Sequence, residues 1–305
     1  MLVSICVITY RRPDGLKRLL DGLHRLNFKK VRPPEIEVVV VDNDSSGAAI
    51  DYCERIRASF QWTLRSHVEP QRGISNARNS AINFASKKTD FFALIDDDEV
   101  PDPLWLDELL FVQQEYNADV VTGPVVPCFG DENVPDWVEK GAFFAPEHHA
   151  TGSERRVAFT NNVLFRSSIL RTLDKIFDER FALTGGEDTD FFMRAFKNGA
   201  RIIWSDEALV YEWVPESRTK ASWILQRGYR TWGSHSLIEK ELYPTLGVRA
   251  ARVAKGFGLI AIGVVLLVPS CFMGRHAQVR ALLNVSRGAG TFSGLLGLRY
   301  REYAK

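Results

Sequence analysis

The stretch Phe91–Pro103, FFALIDDDEVPDP, runs five apolar residues straight into three aspartates and a glutamate. An apolar run of that length between polar segments reads as a short strand buried on both faces. Like charges at successive positions repel, and a strand end has no helix dipole to offset them. The acidic run therefore calls for positive charge, either a metal ion or basic side chains that carry a phosphate.

Strand and helix patterns alternate around this stretch. Residues 2–9, LVSICVIT, read as a strand, and PDGLKRLLDGLHRL follows with helical spacing at Leu16, Leu19, Leu20, Leu23 and Leu26, with Pro13 near its start. EIEVVVVDND is a second apolar strand ending in Asp42 and Asp44. SSGAAIDYCERIRASF and GISNARNSAINFAS read as helices, FFALID as a strand, PLWLDELLFVQQEY as a helix and ADVVTGPVV as a strand. This alternation over 126 residues predicts an α/β protein with a mostly parallel sheet flanked by helices. Ligands of such sheets bind outside the carboxyl ends of the strands, which here read TYRR, DNDSS and DDDE. Capping of the next helix accounts for one carboxylate at such an end, not for three in a row.

Beyond residue 126 the pattern loosens. Residues 127–160 read as a loop or lid region, and the adjacent His148 and His149 as surface residues. VAFTNNVLFR reads as a strand carrying Thr160, Asn161 and Asn162; paired asparagines are poor strand formers, so at least one is expected to point into a site. Thr184-Gly185-Gly186 then opens a helix with Glu187, Asp188 and Asp190 in its first turn. Acids there complement the helix dipole, but two glycines suit a close approach of backbone or ligand.

Composition narrows the classes. Net charge is +1, which gives no global basic field for nucleic acid, and the scattered Cys6, Cys53, Cys128 and Cys271 suit a reducing compartment. No P-loop pattern occurs. From Gly256 to Gly274, GFGLIAIGVVLLVPSCFMG, no residue is charged. That length approaches the roughly 20 residues of a bilayer helix, so 256–274 is a candidate transmembrane helix. Basic residues flank it on both sides, so the positive-inside rule does not orient it. The later GAGTFSGLLGL is too short and glycine-rich to span. The expected division is 1–240, catalytic, and 241–305, membrane-associated.

VITYRRPDGLKRLLDGL, VVVVDNDSS, ARNSAINFASKKTDFFALIDDDEVPDPLWL and GGEDTDFFMRAFKNGARIIW, in this order, resemble the family 2 glycosyltransferases of GT-A fold. The resemblance covers roughly residues 1–235, and TNNVLFR and VYEWVPESR look most like the branch of the succinoglycan-biosynthesis glucosyltransferases. It implies inverting transfer of a hexose from a nucleotide-diphosphate sugar, UDP-glucose above all, to a hydroxyl of a glycan acceptor. A polyprenyl-diphosphate-linked acceptor would place the enzyme on the cytoplasmic face of the inner or plasma membrane. The implied cofactor is a divalent cation, Mg²⁺ or Mn²⁺, on Asp98, since such ions bind one or two carboxylates plus phosphate oxygens. Asp96 would hold the ribose with Asp97 nearby, Asp42 the uracil, and Thr9, Tyr10 and Arg11 the base pocket, with Arg72 and Arg78 in reach of the donor. Asp188 would be the general base, with Asn162, Gly185, Gly186 and Glu187 toward the acceptor and Asp190 beside them.

The chain departs from the family pattern twice. Glu212 stands where many members carry a metal-contacting histidine, and is taken as a second metal contact. QRGYRTW breaks the Q-x-x-R-W signature of processive synthases, which points to single addition, with Arg227 or Arg230 still able to contact the diphosphate. The competing readings are a nucleotidyltransferase and a non-catalytic, membrane-tethered sugar-binding protein on the same fold.

Overall fold

The computed structural model describes residues 1–130, 134–300 and 302; residues 131–133 of the expected lid loop lie outside the described residues. The chain forms two compact units, one of residues 1–126 and 146–212, the other of 127–145 and 213–305.

The first unit opens with β1 (Leu2–Thr9), α1 (Pro13–Leu23), β2 (Glu35–Asp42), α2 (Ala48–Ile56), β3 (Thr63–Val68), α3 (Ile74–Phe84) and β4 (Phe91–Leu94). It continues with β5 (Glu99–Pro101), α4 (Trp105–Tyr116) and β6 (Val120–Thr122), and β7 (Val125–Cys128) leaves it. After the chain returns come β8 (Glu154–Arg155), β9 (Val163–Arg166), α6 (Glu187–Lys197), β10 (Ile202–Trp204) and β11 (Val210–Trp213). The second unit holds α5 (Asp136–Lys140), α7 (Ala221–Leu242), α8 (Leu246–Met273) and α9 (Arg275–Leu295).

The main sheet has the order β3-β2-β1-β4-β9-β6-β10-β8. Strands β1 to β4 run parallel, β9 runs antiparallel to β4 and β6, and β10 is again parallel to β6. The predicted mostly parallel α/β sheet is what forms. The parallel register sets Thr9 opposite Asp42 and Cys6 opposite Leu94, so the polar ends of β1, β2 and β4 emerge along one edge. The continuous apolar runs are buried on both faces, one under Leu16, Leu19, Leu20 and Leu23 of α1, the other under Ala77, Ala81, Phe191 and Phe192 of α3 and α6.

Several strands escaped the sequence reading, β8, β10 and β11 as well as β3 and β5. β3 is an edge strand whose TLRSHV has little apolar pattern, and it is paired only with β2 in the sheet order. β5 begins inside the acidic run and pairs antiparallel with β11, setting Glu99 opposite Glu212. The strand expected over VAFTNNVLFR is shorter, because β9 starts after Asn162.

In the second unit α8 starts ten residues before the expected segment, capped by the Thr245 hydroxyl, which accepts from the Val248 amide at 3.2 Å. GAGTFSGLLGL, read as too short and glycine-rich to span, lies mostly within α9. Its glycines are contact points: a Cβ at Gly290 or Gly294 would collide with the Tyr229 or Gly233 carbonyl oxygen of α7, and one at Gly288 would lie 2.7 Å from the Gly256 carbonyl oxygen of α8. Glycine lets helix backbones pack this closely. This packing draws α7 into the second unit, so the compact units part at 212/213.

Replacing Gly294 with Val is therefore expected to cost about 2 kcal/mol or more through overpacking. Gly258, whose Cβ would meet nothing within 4 Å, is the control: Gly258→Ala is expected to stabilise by up to about 1 kcal/mol. Thermal melting of the two variants checks both, and equal melting temperatures would refute the close-packing account.

Candidate active site

The positive charge demanded by the acidic run is built in. β1 ends at Thr9, and the chain turns through Arg11, held at a left-handed φ of 56°, into Pro13 of α1. The turn sends the two arginines to different acids. Arg11 Nε donates to Asp44 Oδ2 at 2.6 Å, while Arg12 Nη1 sits 2.9 Å from both Asp97 Oδ1 and Asp98 Oδ2. Gly15 permits this, because the Asp97 carbonyl oxygen fills the space a Cβ there would need. Thr9 Oγ1 donates to Asp97 Oδ2 at 2.8 Å. Arg78, buried on α3, donates through Nη2 to Asp96 Oδ1 at 2.9 Å and through Nη1 to Glu187 Oε1. Asp96 is further tied down by its amide, which donates to Glu99 Oε2 at 2.8 Å.

Two guanidiniums do not neutralise four successive carboxylates. Burial pushes the Asp97 carboxyl up to about 6 despite Arg12. Glu99 is raised well above the usual range, by burial first and then by Asp96, Asp98 and Glu212.

The rest of the β1–β2 edge forms a stacked group. Tyr10 carries two guanidiniums on its ring, Arg11 at 5.0 Å and Arg72 at 4.9 Å from the centroid. Buried Asp42 accepts from the Asp44 amide at 2.9 Å and the Ala49 amide at 3.0 Å, so it caps the turn into α2 as well as facing this edge.

The other wall comes from the turn into α6. Gly185 and Gly186 both adopt positive φ, 73° and 94°, which only glycine does without strain. They bring Glu187 into the interior, where its Oε2 has no hydrogen-bond partner. Burial raises Glu187 to about 7, with Arg78 opposing, and burial also raises its neighbour Asp188 above the usual carboxylate range. Asp188 is half-buried and accepts from the Thr189 amide at 2.6 Å.

Not every expected residue comes to this site. Asn162, expected toward an acceptor, is fully buried in the core, where its Oδ1 accepts from Trp105 Nε1 at 2.8 Å and its Nδ2 donates to the carbonyls of Pro124 and Ala208. Asp190, expected near Asp188, pairs instead with Arg194 one turn on, at 2.8 Å. His148 lies at the surface within 3.1 Å of Asp206. Arg12, conversely, was missed: the doubled arginine at the end of β1 was its only signal, and spacing alone does not say which of the pair faces Asp97 and Asp98.

Against known proteins, residues 4–177 match the family model for glycosyl transferase family 2, and residues 91–283 the model for glycosyl transferase family group 2. The succinoglycan biosynthesis protein ExoM of Rhizobium meliloti is 33% identical over 98% of this chain and 94% of its own. The chain belongs to glycosyl transferase family 2. The glucosyl-dolichyl phosphate glucuronosyltransferase of Haloferax volcanii is 25% identical over 80% of this chain and 79% of its own. Among solved structures, a mannosyltransferase from Pyrobaculum calidifontis in complex with GDP-Man and Mn²⁺ superposes with a TM-score of 0.62, at 18% identity over 97% of this chain and 87% of that one. Staphylococcus aureus TarS with UDP-GlcNAc gives 0.55, at 20% identity over 99% and 93%. Both likenesses are to the GT-A fold.

The residues of this family 2 transferase fit a divalent cation chemically. The run offers hard carboxylate oxygens, and Glu99, raised first by burial, is raised further by the charges of Asp96, Asp98 and Glu212. Among the described residues no three His, Cys, Asp or Glu side chains converge into a ready-made cage. A Mg²⁺-type site needs none, because it takes one or two carboxylates and completes its shell with phosphate oxygens and water.

The raised Glu187 makes a pH prediction. Its folded value, about 7, exceeds the ordinary 4.5, so between these values the folded chain binds more protons than the unfolded one. Its contribution therefore favours folding at and below about pH 4.5 and declines as pH rises to about 7. Glu187→Gln, which keeps an acceptor for Arg78, is expected to flatten the loss of stability across that window by about 1–3 kcal/mol. Melting temperatures of both proteins at pH 5 and pH 7.5 check this; parallel curves would refute it.

Proposed function

We propose that this transferase moves a hexose, with inversion, from a UDP-sugar such as UDP-glucose to a hydroxyl of a lipid-linked glycan acceptor. The work would be done on the cytoplasmic face of the membrane, in polysaccharide or cell-surface glycan biosynthesis. The observation that carries the reading is Arg78, whose one guanidinium joins Asp96 of the acidic run to Glu187 beside Asp188. A donor at the strand ends and an acceptor at the α6 turn would thus meet across one fixed side chain.

The residue roles are those that the family resemblance implies. Thr9, Tyr10 and Arg11 line the base pocket, with Arg72 closing it over the Tyr10 ring, and Asp42 and Asp96 hold the uracil and ribose. Asp98 and Glu212 are the cation's protein ligands. A bound divalent cation would offset the charge on the departing diphosphate. Gly185 and Gly186 leave room for the acceptor. Its hydroxyl oxygen forms the new bond to the anomeric carbon as the bond to the diphosphate breaks on the opposite face, and its proton passes to the Asp188 carboxylate. Burial raises the basicity of Asp188, which suits a base that must take a proton near neutral pH.

Three facts support the wider setting. The relative in Rhizobium meliloti is named for succinoglycan biosynthesis, and the one in Haloferax volcanii for a dolichyl-phosphate-linked sugar. α8 is long and apolar enough to cross a membrane by length and composition.

Calorimetric titration with UDP, GDP and dTDP, with and without Mn²⁺, tests the donor reading. UDP binding that needs the metal is expected, and binding of none of the three by a folded protein would turn the reading toward a non-catalytic sugar-binding role. Asp188→Asn is expected to reduce transfer by about a thousandfold or more while UDP binding stays within about threefold, worth less than 1 kcal/mol. Equal loss of both would remove Asp188 from the base role. Asp98→Ala is expected to weaken Mn²⁺-dependent UDP binding about tenfold or more, as loss of a charged ligand should.

A further inference from the structure

The second unit carries a strong charge bias. Its residues 213–305 hold 14 Lys and Arg against 4 Asp and Glu, a net +10, and with 127–145, which hold one Lys against four acids, the unit is +7, while the whole chain is +1. The same unit carries the largest exposed apolar surface among the described residues. Along α8, Phe257 is 63% exposed, Val265 69%, Val268 72% and Phe272 91%, with Ile262, Val264, Leu266 and Met273 also exposed. The buried positions of α8 are Arg252, Gly256, Gly263 and Ser270. The helix thus turns a narrow stripe of mostly small residues inward, with Ile260 and Leu267 half-buried beside it, and most of its large apolar side chains outward.

That neighbour decides how α8 can meet a membrane. α8 and α9 are joined by Gly274 alone and pack antiparallel along their length: a Cβ at Gly263 would lie 2.7 Å from the Ala281 carbonyl oxygen, and one at Gly288 2.7 Å from that of Gly256. If α8 crossed the bilayer, α9 would have to return across it bearing Arg275, His276, Gln278, Arg280, Asn284 and Arg287. Charged side chains at that depth are strongly disfavoured. Two of these are also anchored within the unit, Arg280 Nη2 donating to the Gly141 carbonyl at 2.5 Å and Arg287 lying 5.7 Å over the Trp232 ring. The helix α7, packed against α9 and tied to α8 where Arg252 pairs with Glu239, brings Arg227, Arg230, His235 and Lys240 as well. Only the outward face of α8 is fit for lipid. Arg249 and Arg275, both exposed, stand at its two ends, so burying the Gly274 tip would bury Arg275 with it.

We propose that α8 does not span the membrane but lies in its surface plane, with Phe257, Val265, Val268 and Phe272 among the acyl chains and the basic residues of the unit on anionic headgroups. Helices of this kind bind through apolar burial together with attraction to anionic lipid. This deepens the membrane location proposed above and rests on the helical unit alone.

Two measurements on the full chain test it, and neither requires a bound nucleotide. The first is flotation with vesicles of phosphatidylcholine alone and of phosphatidylcholine with roughly one third phosphatidylglycerol. Binding at least tenfold stronger to the anionic vesicles is expected, weakened by raising salt from about 0.1 M to about 0.5 M. Val265→Asp with Val268→Asp is expected to lower it a further tenfold or more, with circular dichroism unchanged. The second is Arg275→Cys, in a Cys128→Ser, Cys271→Ser background, probed with a membrane-impermeant maleimide. Modification in inside-out vesicles but not from outside intact cells is expected. Modification from outside would show a spanning α8 and overturn the proposal. So would undiminished flotation of the double aspartate variant, or a chain that ignores both vesicles and covers this face with a second copy in solution.

Discussion

Four carboxylates at the end of one buried strand are the constraint on which the catalytic unit turns. Isolated charges of one sign at that density are not tolerated in a folded interior, so the surrounding elements are placed to answer them. β1 ends at Thr9 beside Asp97, α1 begins on Arg12 between Asp97 and Asp98, and α3 carries Arg78 to Asp96. The glycine at position 15 exists for the same reason, since α1 must come against the Asp97 backbone for Arg12 to reach. Burial first and the neighbouring carboxylates second make Asp97 and Glu99 hold their protons more tightly than free carboxyls do. Such residual strain is tolerable where a ligand restores the balance. A doubly charged cation with a diphosphate would do so without moving the sheet.

Arg78 extends this constraint to the opposite wall. Its guanidinium is a rigid fork, so fixing one branch on Asp96 fixes where the other must point. Glu187 fills that position, and the two positive-φ glycines ahead of it are what let α6 start so close to the core. Asp188 follows one residue later in a setting that disfavours its charged form. Lysine at position 78 would keep the charge and lose the geometry.

How much of this the sequence disclosed depended on whether a signal was local. Apolar runs and strand-end acids are local, so β1, β2, β4 and the acidic edge were readable, as were the helices with leucines at regular spacing. β3 was not, because an edge strand needs apolar residues on one face at most. The asparagines at 161 and 162 were correctly read as misfits for a strand, but the misfit was resolved by β9 starting later and by Asn162 bonding the core. Asp190 was grouped with Asp188 by proximity in sequence, whereas in a helix the residue four positions on, Arg194, is the nearer neighbour. Arg12 was hidden for a related reason: the left-handed turn at Arg11 separates two identical side chains, and no composition rule anticipates that turn.

The C-terminal helices show the same limit from the other side. Hydropathy along 256–274 measures the residues of one helix and ignores what the helix leans on. Here it leans on α9, whose polar residues recur along its whole length, and the contact is made by glycines that leave no space between the two backbones. Separating them to let α8 cross alone would expose Gly256, Gly263 and Gly288 backbone together with the apolar partners Ile260 and Val285, with no compensating contact. An apolar helix tied in this way to a polar one has a single face to offer. Its length then sets the breadth of the surface it covers and ceases to measure the thickness of anything it could cross.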